Sequence, residues 1–219
     1  PVDPPAADSD VPARARLVGP PPRSPQGAGG PKPPQPFKMW PEGTGKRQRA
    51  EGDEGAEVVL HRPAGDGPLL LVVRFRWEYE FNIVEMGPPE RRRTLLRSKR
   101  QRRVVVPLLS GEESEVRLAI RTGFAHHWWA WIQTVDTVPL LRDRLGGEGQ
   151  FVMRHAGGPG RIRMRHTARG AFTLTALTPA LEKSGLLLSG RGDTAVEADI
   201  EGPTYLHVDA AGPWTVTLL

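Results

Sequence analysis

The sequence predicts an all-β chain: two tandem antiparallel β-sandwich repeats after a disordered Pro-rich tail. Three observations carry that expectation. From Phe37 onward, short apolar runs are punctuated by Gly, Pro or charge clusters at about the eight-to-twelve-residue spacing of a sandwich or barrel. Within the runs, apolar and polar residues alternate, as in Trp214, Val216 and Leu218 against Thr215 and Thr217. Period two turns one set toward a core and the other toward water. Finally, the second half of the chain repeats the first.

Residues 1–36 hold 12 of the 23 prolines, and their only large aliphatics are Val2, Val11, Leu17 and Val18. Such a segment buries too little apolar surface to offset its ordering entropy, and proline withholds backbone donors. It reads as a disordered linker, stiffened by polyproline stretches at 20–22 and 31–36. Because the chain opens at Pro1 without an initiator Met, we expect a fragment or processed product with an upstream domain. Residues 37–136 form the first sandwich repeat. Residues 137–148 read as a connector with one turn: Val138, Leu141 and Leu145 have helical spacing, but Pro139 interrupts it and Gly146-Gly147 follows. Residues 149–219 form the second repeat, where Phe172, Leu174 and Ala176 alternate with Thr173 and Thr175, and Val196, Ala198 and Ile200 with Glu197 and Asp199.

The repeat emerges when one half is slid over the other. Val58 to Arg62 resemble Phe151 to His155, and Phe81 follows Arg74 by seven positions as Phe172 follows Arg165. Leu95-Leu96 then matches Leu187-Leu188, Val104 to Val106 match Ala195-Val196, and each half ends in a Trp-bearing strand. The copies span about 56–135 and 149–219 and read as six or seven strands each. Units this small bury a modest share of their surface, so the two are expected to dock.

Composition removes whole chemistries. With no cysteine there is no disulfide framework, thiolate metal site or cysteine nucleophile. No apolar run approaches the roughly 20 residues that span a bilayer, and no signal peptide is visible, so a cytoplasmic location is favoured. The chain carries 30 Lys+Arg against 25 Asp+Glu, net +5, yet residues 91–103 alone hold eight basic residues and no acid. Arg91, Arg92, Arg93, Arg97, Lys99, Arg100, Arg102 and Arg103 are thus candidate ligands for a polyanion, either nucleic acid or anionic lipid. The bland alternative is a solvated hairpin edge with Leu95 and Leu96 dipping into the core.

A second anomaly is His126-His127-Trp128-Trp129-Ala130-Trp131-Ile132. On a strand, Trp128 faces one way and Trp129 and Trp131 the other. Since the second repeat manages with Trp214 alone, the surplus is expected to form an inter-repeat seam, an aromatic platform for a ligand or a membrane-interface anchor. Adjacent His126 and His127 point to opposite faces and cannot easily share an ion, and no metal-ligand spacing occurs elsewhere, so neither metal nor cofactor is expected. There is no Gly-x-Ser-x-Gly elbow, phosphate loop or dinucleotide fingerprint, and we expect no enzyme. Arg191-Gly192-Asp193 spells an adhesion tripeptide but falls at a hairpin turn.

The ending Gly202-Pro203-Thr204-Tyr205-Leu206-His207-Val208-Asp209-Ala210-Ala211-Gly212-Pro213-Trp214-Thr215-Val216 resembles the closing strands of small β modules in actinobacterial proteins. An excess of 25 Arg over 5 Lys, with Asn82 the only asparagine, fits the GC-rich codons of such genomes. Together with the Pro-rich linker opened out by Pro36-Phe37-Lys38-Met39-Trp40, the tandem is similar to accessory C-terminal regions of TerD-type tellurium-resistance and stress proteins. The resemblance implies a non-enzymatic interaction or accessory module of a larger stress-related or envelope-associated protein, with an upstream domain or another protein as partner. It carries no calcium site, because the acidic cluster of a TerD domain has no match in this chain. The alternative function is an anionic-surface binder acting through 91–103.

Overall fold

The structure, a computed structural model, describes residues 44–65, 67–87, 92–108 and 113–219, with the backbone alone at Tyr79 and 98–100. The expected linker at 1–36 and the segment Phe37 to Trp40 lie outside the described residues, which belong to one compact unit. Strands β1 (Arg49–Gly52), β2 (Ala56–His61), β3 (Leu69–Met86), β4 (Arg93–Leu108), β5 (Glu115–Thr122) and β6 (Trp128–Thr134) build the first half. The second half holds β7 (Arg144–Glu148), β8 (Phe151–His155), β9 (Gly160–His166), β10 (Ala171–Leu177), β11 (Lys183–Arg191), β12 (Thr194–Ile200), β13 (Thr204–Ala210) and β14 (Pro213–Leu218). The all-β class and the two sandwich halves are those expected from the alternation. Among the described residues the only helical pieces are 3-10 turns at Lys46–Gln48 and Val135–Thr137, and no helix is long and apolar enough to cross a membrane.

The duplication is written in the pairing. In the second half, one sheet runs β12-β9-β14-β7 and the other β11-β10-β13-β8. The first half reaches the same arrangement with two fewer strands, because β3 and β4 each serve both sheets. The beginning of β3, from Leu69 to Phe75, pairs with β6, and its end, from Phe81 to Met86, pairs with β5. Strands β3 and β4 thus correspond to β9 plus β10 and to β11 plus β12.

Two features depart from the sequence reading. Leu60 lies opposite Val116 and His155 opposite Thr204, while Ile83 pairs Ile120 as Leu174 pairs Val208. Leu60 is therefore the counterpart of His155, two residues away from the match made by sequence. A shift of two leaves every side chain on its own face, so the hydrophobic pattern does not detect it. Residues 144–148, placed in the connector by sequence, form β7, which pairs with β14.

The glycines of β7 read as a break but serve the strand. Gly147 lies opposite Trp214, and a Cβ there would sit 2.6 Å from the indole ring; Gly52 on β1 stands in the same relation to Trp128, at 2.7 Å. Each indole then donates its N–H past the glycine strand, Trp128 to the Glu54 carbonyl at 2.7 Å and Trp214 to the Gly149 carbonyl at 2.8 Å. Glycine is needed in both strands because a ring lies across the backbone.

Between the first-half sheets, Leu71, Val73, Phe75, Phe81, Ile83, Leu118 and Trp128 form one core. The second core is larger. It joins Phe151, Met153, Ile162, Met164, Phe172 and Trp214 to Leu70, Val72, Val105 and Trp131 from the opposite face of the first-half strands. One face of the first half is thereby buried by the second, which supplies the apolar burial that each small unit lacks alone.

Candidate functional site

The basic segment lies on β4, and strand geometry divides its cations. Arg92, Arg97 and Arg102 are exposed. Arg93 donates to the Glu85 carboxylate from two nitrogens, at 2.8 and 3.1 Å. Lys99 and Arg100 stand opposite Phe81 and Glu80, and Arg91 lies outside the described residues. The five cations whose side chains are described do not share one surface: Arg92, Arg97 and Arg102 are exposed, Arg93 is paired with Glu85, and Arg103 turns inward.

Arg103 turns inward and sits over the Phe151 ring, 5.6 Å from its centroid. Burial first, then the charge of Arg74, pushes its pKa down to about 9, so it remains cationic at neutral pH. Burial and Arg102 likewise lower Arg74 from the usual arginine value. These two arginines belong to the seam between the halves.

The seam itself is built on glutamines that sequence reasoning passed over. The Val105 amide donates to the Gln150 carbonyl at 3.0 Å, and the Gln150 amide to Gln101 Oε1 at 2.9 Å. Gln150 Nε2 reaches Asp209 at 3.0 Å, and Trp131 Nε1 donates to Gln133 at 3.2 Å. All three glutamines are buried; Gln101 takes up the Gln150 amide across the seam, Gln133 takes up the Trp131 indole within β6, and Gln101 Nε2 and Gln150 Oε1 make no hydrogen bond among the described residues. Between them Gly149, at φ 74°, approaches so closely that a Cβ would meet Gln101 Oε1 at 2.6 Å. At the seam's edge Glu148 hydrogen-bonds Glu78. Burial, that bond and the Glu78 charge raise the Glu148 pKa, with Arg102 opposing.

Of the three tryptophans singled out by sequence, Trp128 is in the first-half core, Trp131 is fully buried in the shared core and Trp129 packs against it. None of the three is an open platform. Open aromatic surface lies elsewhere, at one end of the first half, which we call its tip. There residues 76–80 and 123–127 carry the chain from one sheet to the other, tied by the Arg76 amide donating to the His127 carbonyl at 3.0 Å. Trp77 is 65% exposed and Phe124 74%. The Arg76 guanidinium lies 5.7 Å from the Trp77 ring centroid, and the β4 segment holding Arg97 to Arg102 runs beside it.

Sequence missed Trp77 for a definable reason. It shares the strand phase of buried Phe75, but the register breaks between Arg74 and Tyr79, and an irregularity re-aims side chains.

The histidines act as ties. His127 Nδ1 lies 2.6 Å from Asp53, and the ring meets Trp129 edge-on. His155 Nε2 is 3.0 Å from the Gly158 carbonyl. Among the described residues no three metal-ligating side chains converge. Arg191-Gly192-Asp193 joins β11 to β12, with Asp193 3.4 Å from Arg165. A cleft of about 450 Å³ between the halves is lined by Arg93, Leu95, Leu181, Lys183 and His207 among others; Arg93 there is engaged by Glu85.

Compared with known proteins, the chain matches no protein-family model and no curated protein. Among solved structures it is similar to the CUB1-EGF-CUB2 domain of human MASP-1/3, at 8% identity and a TM-score of 0.25 over 78% of this chain and 100% of that one. It is also similar to the major capsid protein P2 from bacteriophage PM2, at 10% identity and 0.19 over 78% and 96%. Overlap this loose establishes neither a family nor a function.

Proposed function

We propose that this chain is a non-catalytic interaction module that meets an anionic partner with the tip of its first half. The wider setting is the one its closing strands suggest, an accessory region of a larger bacterial stress-related or envelope-associated protein of the TerD type. One observation carries the reading: exposed Trp77 and Phe124 share an end of the sandwich with exposed Arg76, and the β4 segment carrying exposed Arg97 and Arg102 runs beside it. Large exposed aromatic surface next to unburied positive charge is what a contact surface offers. The buried polar side chains, by contrast, have structural work. Gln101, Gln133 and Gln150 serve the seam, and His155 and His166 hold turns.

Retention on immobilised heparin tests the reading. The chain is expected to bind and to elute with salt, because displaced counterions set polyanion affinity. Replacing Arg76, Arg97 and Arg102 with Ser together should abolish retention; retention unchanged by the triple replacement would overturn the proposal.

A further inference from the structure

We infer that the partner is an anionic bilayer surface, with Trp77 and Phe124 entering the headgroup layer while Arg76, Arg97 and Arg102 meet lipid phosphates. This rests on the reading of the tip as the contact surface and names what it contacts.

Val59, Trp77, Phe124, Leu186 and Leu219 are the large apolar side chains left exposed among the described residues. The two aromatic ones lie at the same end, in segments bonded to each other through Arg76 and His127. The fold does not require them there. At the matching turns of the second half stand Thr167, Ala168, Arg169 and Gly170, with Ala211 and Gly212 opposite. Aromatic rings settle at the level of lipid headgroups, where an apolar body and a polar edge are both accommodated. Cations around such rings gain about fivefold each from a negative leaflet.

Two features favour a bilayer over a nucleic acid. A single strand needs open ring faces along a cationic groove, yet Arg76 already covers one face of Trp77. A phosphate chain tracking β4 would also run beside Glu78, Glu80 and Glu85 of β3. A bilayer meets only the apex, which leaves Glu85 behind and keeps exposed Glu78 and Glu80 at the contact, where the cations of β4 outnumber them.

Flotation of the full chain with vesicles of about one third phosphatidylglycerol in phosphatidylcholine tests the inference. Binding is expected, and should be lost on phosphatidylcholine alone. Trp77→Ala and Phe124→Ala should each weaken it about tenfold, as expected for losing one inserted ring, while leaving heparin retention unchanged. Both side chains are largely in solvent, so these variants should fold. Trp77→Phe should keep vesicle binding but lose part of the fluorescence quenching by brominated phosphatidylglycerol. Heparin retention without flotation would overturn the bilayer and leave the tip as contact surface, whereas absence of both would remove the tip as well. Single-stranded DNA binding that falls with Trp77→Ala, in a chain that does not float, would make nucleic acid the partner and refute the lipid.

Discussion

The same bend in the chain is handled in opposite ways by the two halves. In the second, His166 occupies the place of Phe75. Its ring stacks on Phe172 at 4.9 Å as Phe75 stacks on Phe81 at 4.1 Å. Its two nitrogens reach the carbonyls of Gly192 and Ala211, at 3.0 and 2.7 Å. One buried imidazole therefore sits between two turns, and in its neutral form its one N–H donates to one of those carbonyls; Gly170, Gly192 and Gly212 supply the positive φ those turns use. In the first half an apolar Phe75 fastens nothing, β3 and β4 run on unbroken, and Trp77 and Phe124 are left in solvent. Five residues separate the stacked rings in both copies, so length is not the difference. A duplicated scaffold has closed one tip with hydrogen bonds and left the other as contact surface.

Charge follows the same division. On the second half Arg161, Arg163 and Arg165 of β9 face Glu197, Asp199 and Asp193 on or beside β12 in a ladder of ion pairs. On the first half β4 carries more cations than β3 has carboxylates to meet. Exposed pairs of this kind contribute little to stability, usually under about 1 kcal/mol; their consequence is that the second half presents a nearly neutral face.

The equivalence of the halves is broken most forcefully at the tryptophans. Trp128→Ala and Trp214→Ala should each cost about 3–5 kcal/mol in urea unfolding, the range for a large aromatic removed from a core. Each ring fills one sandwich, crosses one glycine and makes one indole bond. Losses differing several-fold would show that the two sandwiches are not energetically equivalent. The closed tip sharpens the comparison. His166→Phe converts it to the first-half solution and should cost about 1–3 kcal/mol, since the carbonyl that accepts the imidazole N–H loses its partner. Amide exchange at Gly192, whose N–H now donates to the Gly170 carbonyl at 2.8 Å, should quicken. Unchanged exchange would mean that the imidazole does not fasten the turn.

The smallest effect belongs to the seam. Because Glu148 has a raised pKa, the folded chain holds its proton more tightly than the unfolded chain does. Its contribution to stability is therefore fully present below the ordinary carboxyl value of 4.5 and is lost as pH rises through the raised value. Glu148→Gln should flatten that part of the stability profile and leave neutral-pH stability equal or slightly higher, as thermal melts across that range would show.

Much of this architecture is legible in the chain because sandwich strands have one buried face. Phe172, Leu174 and Val208 are buried in the alternation the sequence displays. Trp128 and Trp131 turn to different cores because they sit at odd separation on one strand. Strand β7 was not legible, since Gly146-Gly147 looks like a break until Trp214 is seen lying across it. The division of the basic segment was half legible. Glu85 lies eight residues from Arg93, and the acidic residues of β3 were a signal that a hairpin would return past them. Nothing local, however, marks Arg103 as buried.

By itself the sequence determined which residues alternate, that the unit was made twice, and that cysteine chemistry is absent, because these depend on composition and on a period of two. Only the tertiary structure decided that one half covers a face of the other, that Gln150 bonds Gln101 and Val105 across that seam, and that Trp77 and Phe124 share an exposed tip. Each of those rests on strand register and on a break in it, and register is set by partners tens of residues away, beyond the reach of any local pattern.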